Sequence, residues 1–253
     1  MKQSLFDIVI IGAGVIGHSI AFRLKQCRPD LNLAVLGDPM NSLMASRAAA
    51  GMLAPFGECS EADRFFRFCR ESLLQYPDFI KDLISTSDIP VHLSMKGSLI
   101  PSSSLGNDWE KRIRFFREEN IPHEIWSPAR CQQLAPALAE SCGEVMWVGE
   151  GQVNNREMHD ALVAASRKLG VEILEKNVTG FIHDSSIVEA AVTSTLEVRS
   201  QKFILASGSW SSQLGDALDV SLPLKPIKGQ MCRVQVEDDQ LDYTVHGLMT
   251  YIA

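Results

Sequence analysis

At 253 residues the chain is long enough for one large domain or two modest ones. Its 45% hydrophobic and 22% charged residues are ordinary for a soluble globular protein, and a net charge of -7 argues against a nucleic-acid partner, which would need clustered Lys and Arg. The densest basic stretch, Lys111 to Arg117, is interleaved with Ile113, Phe115 and Phe116 and reads as an amphipathic helix. The six cysteines are scattered with no CxxC pair, which argues against a zinc site or redox dithiol and for ordinary reduced thiols. No apolar run approaches the roughly 20 residues of a bilayer span. The first strand begins near Phe6, too early for a secretory leader, so the expected setting is the cytoplasm.

Phe6-Asp7-Ile8-Val9-Ile10-Ile11 is rich in β-branched residues, as a buried parallel strand requires. Gly12-Ala13-Gly14-Val15-Ile16-Gly17 follows at once, and Val15, Ile16, Ile20, Ala21 and Leu24 then recur at helical spacing. In such a turn Gly12 permits the tight bend, Gly14 lets a pyrophosphate approach the backbone, and Gly17 lets helix and strand pack closely. The helix N-terminus adds free N–H groups and partial positive charge. A GxGxxG with its strand before and helix after predicts a dinucleotide-binding βαβ unit. Leu33-Ala34-Val35-Leu36 reads as the second strand, whose end should carry an acidic residue for the adenosine ribose. Gly37 stands there instead, with Asp38 next, so either Asp38 takes the role from a shifted turn or backbone makes the contact. No Arg beside Asp38 offers itself to a 2′-phosphate.

The run Ala45-Ser46-Arg47-Ala48-Ala49-Ala50-Gly51-Met52-Leu53-Ala54-Pro55 is dense in small residues that let backbone pack against something flat or extended. It resembles the alanine-rich signature of glycine oxidases, flavoproteins linked to thiazole synthesis for thiamine, within the D-amino-acid oxidase and sarcosine oxidase superfamily. The resemblance extends through Gly151-Gln152-Val153-Asn154, Leu205 to Ser211 and Ile227-Lys228-Gly229-Gln230. It implies an α/β fold: a Rossmann-like FAD-binding domain with an interleaved antiparallel-sheet α+β substrate domain. FAD would be the cofactor, bound without covalent attachment. Val15 and Ile16 would line the pyrophosphate turn, and Gly37 and Asp38 would face the ribose. Ala45 and Ser46, then Ala50, Gly51 and Met52, would run along the pyrophosphate towards the isoalloxazine. Val178 would meet adenine through its backbone, and Tyr251, in Thr250-Tyr251-Ile252, would contact the substrate carboxylate. Asn155 stands where relatives often have proline.

In the remainder, Glu61 to Leu83 predicts a helix with Phe65, Phe68, Cys69, Ser72 and Leu73 on one face and a bend at Pro77. Val91 to Pro101 predicts a hairpin turning near Lys96-Gly97, and Asp108 to Glu119 a second amphipathic helix. Ser127-Pro128 is a helix start that Pro136 closes, and Met158 to Leu169 is a helix capped by Gly170. Val171 to Leu174 is a strand, Ile187 to Val192 and Leu196 to Val198 form a meander, and Phe203 to Ala206 is a buried strand. Segments 1–90 and 140–215 are expected to form the cofactor domain, and 91–139 with 216–253 the substrate side. His18, His92, His123, His159, His183 and His246 form no metal-like cluster; only His246, five residues before Tyr251, falls near the expected pocket.

By this resemblance the substrate is glycine or a similar small amino acid. Hydride passes to the flavin, dioxygen reoxidises it with release of hydrogen peroxide, and no acid–base side chain is required. A homo-oligomer is compatible with the chain. The alternatives are a flavin-dependent amine dehydrogenase that does not use oxygen, and an inactive nucleotide-binding fragment. The second is raised by the ending at Ala253 inside an apolar run. Relatives continue further and carry a substrate arginine there, so the 253 residues alone are expected to be a poor enzyme.

Overall fold

The computed structural model describes residues 5–41, 43–138, 140–184, 187–232, 242–247 and 251–252. Thr250 and Ala253 lie outside them. The chain divides into two compact units, the first made of residues 1–49, 82–90 and 155–231, the second of 50–81, 91–154 and 232–253.

The first unit is built on a six-stranded sheet. Its opening strand β1 (Phe6–Ile11) runs parallel to both β2 (Leu33–Leu36) and Glu197–Leu205, and Glu172–Leu174 runs parallel to β2 at one edge. Val188–Thr193 and Val178–His183 extend the other side antiparallel. The helix α1 (Val15–Cys27) connects β1 to β2, giving the expected βαβ unit. All four residues of β2 are buried, which explains its uninterrupted apolar run. Apolar residues pack on both faces of the sheet: Phe6, Val9, Ala34 and Leu36 in one cluster, Ile10, Leu33, Val35 and Ala21 in another. The meander differs from expectation in one respect. Leu196 to Val198 and Phe203 to Ala206 do not form separate strands; Glu197–Leu205 is one nine-residue strand pairing antiparallel with Val188–Thr193 and parallel with β1.

The second unit holds a five-stranded sheet and a three-stranded one. In the larger, Val145–Val148 pairs antiparallel with Ser98–Pro101 and His123–Trp126, and Thr244–His246 joins Ser98–Pro101 and Tyr251–Ile252. In the smaller, Met52–Leu53 and Leu93–Ser94 both pair with Gly151–Val153. The expected hairpin near Lys96-Gly97 is therefore absent: its two arms belong to different sheets, and Gly97, at φ +109°, turns the chain from one to the other. The same pairings gather residues 50–81 and 140–154, read from the sequence as cofactor segments, into the second unit.

The long helix is Arg64–Ser87 and continues through Pro77 instead of ending near Leu83. Its buried apolar side chains are Phe66, Leu73, Ile80 and Leu83, whereas Phe65 and Phe68 are 65% and 72% exposed. Leu73 is buried as expected, but the aromatic that joins it is Phe66 and not Phe65 or Phe68: a spacing of seven is two helical turns, and Phe66 and Leu73 meet Phe56, Ile113 and Phe116 in the core. The helices Trp109–Glu118, Pro128–Leu134 and Asn155–Lys168 stand as expected within a turn. Ser127 accepts from Arg130 N–H at 3.4 Å at the start of one, and Gly170, at φ +76°, follows another. No helix among the described residues is long and apolar enough to cross a membrane.

Candidate functional site

The glycine turn of the first unit is shaped by close backbone approach. Gly12 has φ +119°, and a Cβ there would lie 2.2 Å from the Ala206 carbonyl oxygen. A Cβ on Gly17 would lie 1.9 Å from the Gly12 carbonyl oxygen, so α1 presses directly on the turn. Gly14 differs: its φ is -79°, and an added Cβ would meet only the Ser46 hydroxyl, at 3.1 Å. The Ser46 hydroxyl also accepts from Val15 N–H at 3.0 Å, capping a helix whose first turn holds no acidic side chain. Ile16, beside it, is 62% exposed. Ser207 follows Ala206 against the same turn, and its hydroxyl is buried without a hydrogen-bond partner.

Gly37 explains the missing acidic residue. Its φ is +145°, and a Cβ would sit 2.9 Å from Ala13 N, so a side chain there would strike the turn. The first carboxylate after β2 is thus Asp38, which is exposed and accepts from Met40 N–H at 2.8 Å. Ser46 stands on α2 (Ala45–Ala48) with Ala45, and Val178 packs against the cluster that includes Leu36. Gly12, Gly14, Val15, Ile16, Gly17, Gly37 and Ser46 therefore surround one turn. Ala50, Gly51 and Met52 lie in the second unit, where they line up on Gly151–Val153: the Gly51 carbonyl accepts from Val153 N–H at 2.9 Å and the Ala50 carbonyl from Gln152 Nε2 at 3.3 Å.

Tyr251 belongs to the second unit and borders a cavity of about 320 Å³ with Gly57, Glu58, Ser104, Leu105 and His246. Glu150 is fully buried and braces one wall: its Oε1 accepts from Phe56 N–H at 2.6 Å and Gly57 N–H at 2.7 Å, and its Oε2 faces His246 Nε2 at 3.4 Å. Arg112 holds the other side of the same loop, donating to the carbonyls of Phe56, Gly57 and Cys59 at 3.0, 3.2 and 2.6 Å. A side chain on Gly57 would collide with the His246 ring, 2.5 Å from the Cβ position. The His246 and Tyr251 rings meet edge-on at 5.5 Å. Desolvation, then the charge of Glu58 and a hydrogen bond to it, raise the Tyr251 phenol above its ordinary value, so it stays a neutral donor.

The strand–glycine turn–helix and its sheet define a dinucleotide-binding α/β protein. The chain belongs to the DAO family of FAD dependent oxidoreductases, whose model matches residues 7–252. It is 32% identical over 92% of its length to the bifunctional protein ThiO/ThiG of Trichormus variabilis, and 27% identical over 95% of its length to the glycine oxidase of Geobacillus kaustophilus. It spans 34% and 64% of those two proteins. The crystal structure of the Geobacillus kaustophilus glycine oxidase superposes with a TM-score of 0.89 at 27% identity, covering 97% of this chain and 67% of that one. The cofactor of this family is FAD. The turn suits it: a Gly14 whose missing Cβ faces a hydroxyl and no backbone, a helix start free of acidic side chains, and a buried Ser207 hydroxyl with a bonding position to spare.

Several residues carried no assigned role in the sequence reading. Ser207 lay within a quoted run, but nothing in the run marks its hydroxyl as unpaired. Glu150, Arg112 and Glu58 are distant in sequence and ordinary in type; only the fold brings them to one loop. His246 is buried at the cavity. Among the described residues no group of His, Cys, Asp or Glu could hold a metal ion.

Proposed function

We propose that this protein catalyses the oxidative deamination of glycine or a similar small amino acid, yielding glyoxylate or the corresponding oxo acid, ammonia and hydrogen peroxide, in the service of thiazole synthesis for thiamine. The observation that carries the reading is the likeness, along nearly the whole chain, to glycine oxidase and ThiO/ThiG together. When bound, FAD accepts the substrate's α-hydride equivalent and returns the electrons to dioxygen.

The protein's own residues bind and orient. Gly12, Gly14, Val15, Ile16 and Gly17, with Ala45 and Ser46, hold the pyrophosphate. Gly37 and Asp38 meet the ribose, and the Val178 backbone meets adenine. Ala50, Gly51 and Met52 follow the cofactor towards its ring. Residues 1–49, 82–90 and 155–231 carry most of this cofactor side, and 50–81, 91–154 and 232–253 the substrate side. Tyr251, kept neutral as a phenol, turns its one hydrogen from Glu58 to the substrate carboxylate, a bond made stronger by the acceptor's charge. No side chain need take a proton from Cα, since hydrogen leaves as hydride. The test is to supply the FAD-loaded protein with glycine and sarcosine and follow peroxide beside dye reduction. Peroxide released in step with glyoxylate is expected; dye reduction without peroxide would make the protein a dehydrogenase instead.

A further inference from the structure

We propose that Arg47, His159 and Asp160 are positioning residues that set the phosphate cradle in place before the cofactor arrives, by locking α2 to the glycine turn. The proposal rests on the reading that the pyrophosphate lies at that turn. The three residues touch none of the turn's free N–H groups; they act through Ser46 and Ala13.

A four-residue helix has no stability of its own, so α2 must be held from outside. The first turns of the helix Asn155–Lys168 hold it at four points. Asn155 Nδ2 donates to the Ser46 carbonyl at 2.7 Å, and Arg156 Nε donates to the Arg47 carbonyl at 3.3 Å. Arg47 Nη1 donates to His159 Nδ1 at 3.3 Å and pairs with the Asp160 carboxylate. Its two hydrogens thus serve two acceptors. His159 is fully buried and extends the chain of bonds: its Nε2 donates to the Ala13 carbonyl, inside the glycine turn, at 2.9 Å. These partners fix one form of the ring, neutral, with the proton on Nε2 and Nδ1 as acceptor. The ring is therefore a rigid spacer between the turn and α2. One residue before Arg47, the Ser46 hydroxyl meets Val15 N–H and borders the place a Gly14 Cβ would take. Removing the Arg47 guanidinium leaves His159 Nδ1 buried without a donor and frees α2 at its strongest anchor. Ser46 then loses its register with the turn, and ligand binding must supply the ordering.

The test compares the parent with Arg47→Met and Arg47→Lys by titrating FAD-free protein with FAD and reading flavin fluorescence, beside urea midpoints without ligand. Arg47→Met is expected to raise the Kd for FAD about tenfold or more, with Arg47→Lys in between and any loss of unfolding free energy smaller than the loss of binding energy. A Kd within about twofold of the parent for Arg47→Met would overturn the proposal, as would a loss of affinity no larger than the loss of stability. Gly14→Val is run alongside. If it leaves the Kd unchanged, the pyrophosphate is elsewhere and the proposal falls with that reading. If it abolishes binding while Arg47→Met leaves the Kd within about twofold of the parent, the cradle stands and only the positioning role is wrong. The ring form is read on the parent itself, from the ¹⁵N shifts of His159 at pH 7. The Nε2–H neutral form supports the proposal; a cationic ring or the opposite tautomer overturns it.

Discussion

At the glycine turn one methyl-sized volume separates a binding site from a bare fold. Gly14 has an ordinary φ, and a Cβ there would meet a hydroxyl and no backbone, whereas Gly12 and Gly17 would drive a Cβ into carbonyl oxygens. Gly14→Val should therefore fold and lose FAD, the branched side chain filling the place of the pyrophosphate. Retention within about tenfold of the parent Kd, a difference of roughly 1.4 kcal/mol, would refute this. Tyr251 acts at the other ligand. Tyr251→Phe removes a hydrogen bond to a charged carboxylate, worth about 1.5–3 kcal/mol, so the KM for glycine should rise roughly ten- to a hundredfold with FAD affinity unchanged. An unchanged KM would take Tyr251 out of substrate binding. Glycine spacing announced Gly14, and the family resemblance alone put Tyr251 forward. They did not announce Ser207 or Arg47, whose importance lies in which partners they lack or find across 100 residues or more of chain.

Elements were legible where one period dominated. The βαβ unit combines a β-branched run, a glycine turn and a 3.6-residue repeat that all point to the same structure, and it forms as expected. The helix Arg64–Ser87 was legible as a helix but not as to its face, because aromatic residues at 65, 66 and 68 fit two stripes equally well. Burial settles the stripe. Leu73→Ala, in a core with Phe66 and Phe116, should cost about 2–5 kcal/mol, read as a fall in the urea midpoint, whereas Phe68→Ala should stay within about 0.5 kcal/mol. Equal effects would return the buried face to the first stripe. The false hairpin at Lys96-Gly97 has a different cause. A glycine turn between two apolar runs is the same local signal whether the strands pair with each other or with Gly151–Val153 and Val145–Val148, and only long-range pairing decides.

At the scale of the whole molecule, the least legible property is where buried ionisable groups accumulate. His18 and His159 look like any isolated histidine in sequence, yet both are fully buried, with rings 5.9 Å apart. Ser166 donates its own hydrogen to the Leu162 carbonyl and so accepts from His18 Nδ1 at 3.0 Å, leaving His18 Nε2 buried with no partner. Burial, then the neighbouring His159 and Arg167, push the His18 pKa down to about 3, and burial leads the lowering at His159. Both histidines are thus neutral in the folded state, while in the unfolded chain they take up protons near pH 6.5. Below that pH the unfolded state binds more protons, so the stability present above pH 6.5 drains away as the pH falls. For His18 the loss continues until about pH 3. His18 alone gives a slope approaching about 1.4 kcal/mol per pH unit once its unfolded form is charged, and His159 adds to it in the same direction. Carboxylates titrate lower, so the window from pH 6.5 to 5 isolates the histidines. Urea midpoints of the FAD-free protein should fall across it, and His18→Leu, which removes the buried ring nitrogens, should clearly reduce the slope. A midpoint that stays level between pH 6.5 and 5, or a slope that survives the substitution intact, would show that the acid sensitivity of this fold does not arise from His18.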